Sequence, residues 1–154
     1  WRVGYAVARA QIVATMAKIQ EPMVSCVNTV AQHAAIAALT GPQDCVEEML
    51  GHYRRRRDLI VDLARQHGLK ASYPYGAFYM LVDISGQPSG SLEFCQGLLG
   101  TERVAVAPGS AFGDSCEGYV RVSFCASDEA LIEGMARLAR YLRRVSRRGT
   151  PICR

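Results

Sequence analysis

The 154-residue chain has no apolar run long enough to span a membrane, and its start does not read as a signal peptide. Neither a membrane anchor nor a secretory leader is expected. Metal chemistry is equally unsupported. The three histidines, His33, His52 and His67, stand far from any ligand spacing, and the six cysteines (Cys26, Cys45, Cys95, Cys116, Cys125 and Cys153) form no CxxC pair. Scattered thiols in a core-rich chain read as reduced and cytoplasmic. Gly109 and Gly113 lack the following Lys-Ser/Thr of a P-loop, and no nucleophile motif supports a Ser/His/Asp or Cys/His arrangement. Internal repeats and low-complexity stretches are also missing.

Acids are absent from one end. None follows Glu133, while Arg137, Arg140, Arg143, Arg144, Arg147, Arg148 and Arg154 crowd the last 18 residues. Those seven account for the formal net charge of +4, since without them 11 basic residues face 14 acidic ones. A helix C-terminus favours cations, so a basic helix end with a solvated tail over 146–154 is the expected form. A tail for nucleic acid or an anionic membrane is the alternative, but no helix here reads as a DNA-reading one, and neither partner is expected. Arg54 to Arg57 read as the solvated face of an amphipathic helix. What is plentiful is core material. Hydrophobic residues make up 49% of the chain and charged residues 21%, enough for one domain, or one domain plus part of another. Because it opens on Trp1 rather than Met, the chain reads as a fragment or a processed product.

Periodicity and punctuation predict a strand over residues 1–7 and a short helix over 9–20, ending before Glu21-Pro22. An alanine-rich helix is expected over 24–39, stopped by Thr40-Gly41-Pro42. A long helix over 43–67 follows, with Val46, Met49, Leu50, Tyr53, Ile60 and Leu63 on one stripe and Gly68 as its C-cap. The period then changes: strands over 69–73 and 77–84, a helix over 91–99, and strands near 104–107 and 119–125. A final helix over 128–144, with Ser127 as N-cap, buries Leu131, Met135, Leu138 and Leu142. Residues 1–50 have a strand without a sheet to join, which points to a larger body upstream.

One residue stands out chemically. In Tyr119-Val120-Arg121-Val122-Ser123-Phe124, alternation sends Val120, Val122 and Phe124 into a core and turns Arg121 the other way. Beside it runs Pro108-Gly109-Ser110-Ala111-Phe112-Gly113, a turn of small residues. A guanidinium fixed on a sheet beside such a turn suits a bidentate grip on a carboxylate. A surface ion pair with Asp or Glu is the other reading, and spacing alone favours it.

The order of motifs reverses that preference. Trp1-Arg2-Val3-Gly4-Tyr5, then Val27-Asn28-Thr29-Val30-Ala31-Gln32, Tyr53 with Arg56-Arg57-Asp58, Gly76-Ala77-Phe78-Tyr79, and Pro108 to Gly113 leading into Gly118 to Ser123 occur in family order. Together, to about residue 143, they resemble the C-terminal part of fold-type I, pyridoxal-phosphate-dependent aminotransferases of the aspartate aminotransferase-like class I/II family. Ala8-Arg9-Ala10 departs from that pattern, standing where a proline-bearing turn is often seen.

The resemblance implies an α/β (α+β) fold: a small C-terminal domain over 53–145 with a helical remnant of the large pyridoxal-phosphate-binding domain over 1–52. It implies an amino-group transfer between an α-amino acid and a 2-oxo acid, in a homodimer. Arg121 then matches the arginine that takes the substrate's α-carboxylate, Arg2 the arginine that holds the cofactor phosphate, and Phe78 a residue lining the substrate pocket, with ordinary core packing as its alternative. The lysine that forms the Schiff base precedes the arginine matched by Arg2, a position upstream of Trp1. The two lysines present, Lys18 and Lys70, match no catalytic position. No catalytic residue is therefore expected in this chain, which alone should be inactive. A carbon–sulfur β-lyase of the same fold and a non-catalytic aminotransferase-like binding or regulatory domain are the other readings.

Overall fold

The computed structural model describes residues 1–148. Contacts divide the chain into two compact units, Trp1–Glu48 and a second beginning at Met49.

In the first unit, residues 1–9 hold no regular structure, which corrects the expected strand over 1–7. An extended segment becomes a strand only by pairing, and the described strands all belong to the second unit. Helix α1 (Ala10–Val24) continues past its expected end. Pro22 lies inside its last turn, where proline removes one backbone N–H donor. Helix α2 (Thr29–Thr40) starts later than expected because Asn28 caps it. The Asn28 Oδ1 accepts from Val30 N at 2.8 Å and Ala31 N at 3.2 Å, which fixes the helix start. Among the described residues of this unit only Ala31 is buried, while Trp1, Tyr5, Ile19, Val30 and Leu39 are exposed. A unit with so little interior cannot offset its chain entropy by its own packing.

Helix α3 (Asp44–His67) ends at Gly68 (φ 69°), where the left-handed backbone lets the Leu69 N–H reach the Ala64 carbonyl at 2.8 Å. Its stripe is buried at Ile60 and Leu63 but exposed at Val46, Met49 and Leu50, so the core begins later along α3 than the pattern suggests.

The second unit contains an antiparallel sheet in the order β1 (Tyr79–Asp83), β3 (Tyr119–Ser123), β2 (Ala107–Pro108). Leu81 and Ala107 both lie opposite Arg121. Two expected strands shrink. The one over 69–73 is a single bridge from Ala71 to Val82, and the one near 104–107 is the two-residue β2, in which only Ala107 and Pro108 pair with β3. Helices α4 (Ser91–Glu102) and α5 (Asp128–Arg148) complete the unit. Met80, Val82, Val120, Val122 and Phe124 meet Ile60 of α3, Phe94 and Leu98 of α4, and Leu131, Met135 and Leu138 of α5 in one core. Ser127 caps α5 as expected, its hydroxyl accepting from Ala130 N at 3.3 Å. Burial pushes the Cys95 thiol up to about 11, so it stays protonated and packs as a small apolar group.

The arginines of α5 are not simply a solvated end. Glu102, only 8% exposed, accepts from Arg140 Nε and Nη2 at 3.0 and 2.7 Å and lies 3.5 Å from Arg144 Nη1. Arg137 Nη1 donates to its carbonyl at 3.0 Å. Similarly, Arg55 and Arg56 reach Asp128, and Arg57 pairs with Asp58, so the Arg54–57 run is not merely a solvated face. Beyond Arg148, the rest of the expected basic tail, with Cys153 and Arg154, lies outside the described residues.

The hydrogen bond from Arg140, with the nearby Arg144 and Arg137 charges, lowers the Glu102 carboxyl pKa below its ordinary value. A depressed folded pKa gives stability that is full above the unfolded value and lost as pH falls through the folded one. Thermal melts from pH 7 down to 3 should therefore show a steeper loss for the native chain than for Glu102→Gln, whose melting point should already be lower at pH 7. Parallel curves would remove Glu102 from the acid response.

Candidate active site

Arg121 sits at the centre of β3 on the face opposite Val120 and Val122, as alternation requires. Tyr79 shares that face of β1, two residues from the position paired with Arg121, within reach of a long side chain. Its ring centroid lies 4.1 Å from the guanidinium carbon. The 3-10 turn Gly109–Phe112 brings the Phe112 ring to 4.4 Å from the same carbon. The half-buried guanidinium thus touches two rings and has no carboxylate partner among the described residues. The surface ion pair that spacing alone favours is not formed among the described residues.

Phe78 follows Ala77, whose left-handed backbone (φ 56°) makes the turn into β1. Its carbonyl accepts from Phe124 N at 3.0 Å. Its ring stacks on Tyr53 at 5.7 Å and meets Tyr79 at 4.5 Å, while its side chain also packs on the core. Rings therefore run from Tyr53 through Phe78 and Tyr79 to Arg121 and Phe112. The Tyr53 hydroxyl donates to Cys125 Sγ at 3.7 Å, and that bond, reinforced by the Cys125 charge, raises the phenol's pKa above its ordinary value.

Arg2, in the first unit, is exposed, holds a left-handed backbone (φ 58°) and has no ion pair among the described residues. Lys18 is exposed on α1; Lys70 is exposed as well, and its carbonyl accepts from Asp83 N at 2.8 Å, at the end of β1 away from Tyr79. Among the described residues no cluster of His, Cys, Asp or Glu could hold a metal ion, and no helix is long and apolar enough to cross a membrane.

Tyr79 and Phe112 lie inside motifs singled out in the sequence, yet nothing there assigns them to Arg121. Strand alternation could have found Tyr79 once the β1–β3 register was known. Phe112 carried no such signal, because its place depends on the path of an irregular turn.

Residues 1–138 match the family described as aminotransferase class I and II, and the chain belongs to it. Members of this family depend on pyridoxal phosphate. The chain is 41% identical over 145 residues to the aspartate aminotransferase of Pyrococcus horikoshii, spanning 92% of this chain and 37% of that protein. It is 36% identical over 146 residues to the LL-diaminopimelate aminotransferase of Desulforudis audaxviator, spanning 95% and 37%. The crystal structure of an aromatic aminotransferase from Pyrococcus horikoshii aligns with a TM-score of 0.83 at 40% identity, over 94% of this chain and 39% of that one. The chain therefore spans less than two-fifths of the length of the relatives it matches.

Arg2 has no acidic partner among the described residues, so its permanent positive charge is of the kind a phosphate would need.

Proposed function

We propose that this chain is the C-terminal part of an aminotransferase that moves an amino group between an α-amino acid and a 2-oxo acid. Residues 1–52 close the large cofactor-binding domain and residues 53–145 form the small domain. The protein works in the cytoplasm as a homodimer. One observation carries the reading: a half-buried arginine whose guanidinium lies against the Tyr79 and Phe112 rings, with no carboxylate of its own to satisfy it among the described residues.

In this reading Arg121 forks onto the substrate's α-carboxylate, each charge-assisted bond contributing about 1.5–3 kcal/mol. That grip fixes the orientation of the α-carbon. Phe78 lines the apolar side of the pocket, and Arg2 holds the cofactor phosphate. Pyridoxal phosphate, when bound, serves as the electron sink for the carbanion that develops at the α-carbon. The relatives bear names for aspartate, LL-diaminopimelate and aromatic substrates, so side-chain preference is not carried over.

With only Lys18 and Lys70, both exposed, the chain is expected to be inactive alone. Incubation with pyridoxal phosphate and borohydride should label neither lysine stoichiometrically, and no 2-oxo acid should form. One lysine labelled to completion, with turnover, would refute inactivity. In the complete protein, a new amino acid plus a 2-oxo acid supports the transferase. Pyruvate plus ammonia would make it a β-lyase instead.

A further inference from the structure

Phe112 is 45% exposed and its ring lies 4.4 Å from the Arg121 guanidinium carbon, and the turn that carries it joins a network that the proposed function does not use. Ser91, the first residue of α4, is fully buried. The Glu117 carboxylate accepts from Ser91 N at 2.7 Å through Oε1 and from the Ser91 hydroxyl at 3.0 Å through Oε2. Ser110 N in turn donates to Ser91 Oγ at 3.1 Å, and the Ser110 hydroxyl lies 3.1 Å from the same atom. Ser110 belongs to the turn that ends in Phe112. The Glu117 anion thus satisfies the first N–H of α4, where a helix favours negative charge, and ties that helix to the turn.

We propose that Glu117, Ser91 and Ser110 are positioning residues that fix Phe112, so that Phe112 and Tyr79 form a pre-set clamp around Arg121 for planar carboxylates. The proposal rests on Arg121 being the carboxylate site. Two rings lie within 4.1 and 4.4 Å of the guanidinium carbon, and the edge of the group carries the forked N–H donors that match two coplanar oxygens. The clamp also freezes a flexible side chain before any ligand arrives, which lowers the entropic cost of binding.

NMR of the ¹⁵N-labelled chain reads this directly. The Arg121 Nε–H signal, identified by its loss in Arg121→Lys, should lie upfield of the other arginines because of the two rings. Phe112→Leu should move it toward them and weaken pyruvate binding by about three- to tenfold. Glu117→Ala should do the same without touching the guanidinium, and Glu117→Gln, which keeps an acceptor oxygen, should restore most of both. A merely structural Glu117 would lower the melting point while leaving the Arg121 signal in place. If Glu117→Ala unfolds the second unit, Ser110→Ala tests the same link. An unchanged Arg121 signal and pyruvate affinity in the folded variants would overturn the clamp. A signal that follows both substitutions but ignores pyruvate upholds the clamp and sinks the carboxylate reading.

Discussion

On the proposed function, replacing Arg121 by alanine in the complete protein is expected to cut kcat/KM for the amino-acid substrate by about a hundred- to ten-thousandfold. A forked grip makes two charge-assisted bonds of about 1.5–3 kcal/mol each, and every 1.4 kcal/mol corresponds to roughly a factor of ten. Folding should change little, since Arg121 lies on the face of β3 away from Val120 and Val122 and holds up no ion pair among the described residues. That separation makes the result interpretable: activity should collapse while the melting curve stays close to the native one. Arg121→Lys should recover only part of the loss, because an ammonium is a point charge that cannot fork onto a carboxylate. Steady-state kinetics with the amino acid and 2-oxo acid varied in turn provide the measurement. A loss of less than tenfold would place the α-carboxylate elsewhere.

The features that sequence revealed were local ones. Alternation in Tyr119 to Phe124 separates the core residues Val120, Val122 and Phe124 from Arg121 without reference to the rest of the chain. Ser127, Leu131, Met135 and Leu138 likewise define α5 by capping and a helical period. Strands beyond β1 and β3 were harder, because pairing is decided by distant partners: residues 1–7 find none, 69–73 keep a single bridge, and β2 keeps two residues. The same limit applies to the site. Arg121 was visible, whereas its clamp depends on Glu117 meeting Ser91 across 26 positions, and Arg140 of α5 meets Glu102 across 38. Periodicity carries no trace of such bonds, since they join elements far apart in the chain. Charge runs mislead for a related reason: Arg55, Arg56 and Arg140 look solvated in sequence until the acids that face them are placed.

The second large effect is expected at Gly109. Gly109 is not among the glycines with a left-handed backbone, so its requirement is for space. A β-carbon there would overlap the carbonyl oxygen of Cys116 and come within 2.5 Å of that of Tyr119. Both are backbone atoms, so no rotamer change can relieve the overlap. Tyr119 opens β3, so Gly109→Ala must either displace the turn that carries Phe112 or shift the start of the central strand. Overpacking of this kind costs about 1–3 kcal/mol, occasionally more, and each kcal/mol shifts the melting point of a domain this size by roughly 4–8 °C. Gly100→Ala is the matched control. It sits in α4 with nothing within 4 Å of the added carbon, and should be neutral or slightly stabilising because alanine favours a helix. If Gly109→Ala also moves the Arg121 Nε–H signal, the turn and the guanidinium are coupled through Phe112. If it melts with the native chain and leaves that signal alone, the turn yields freely and cannot be what holds the ring over Arg121.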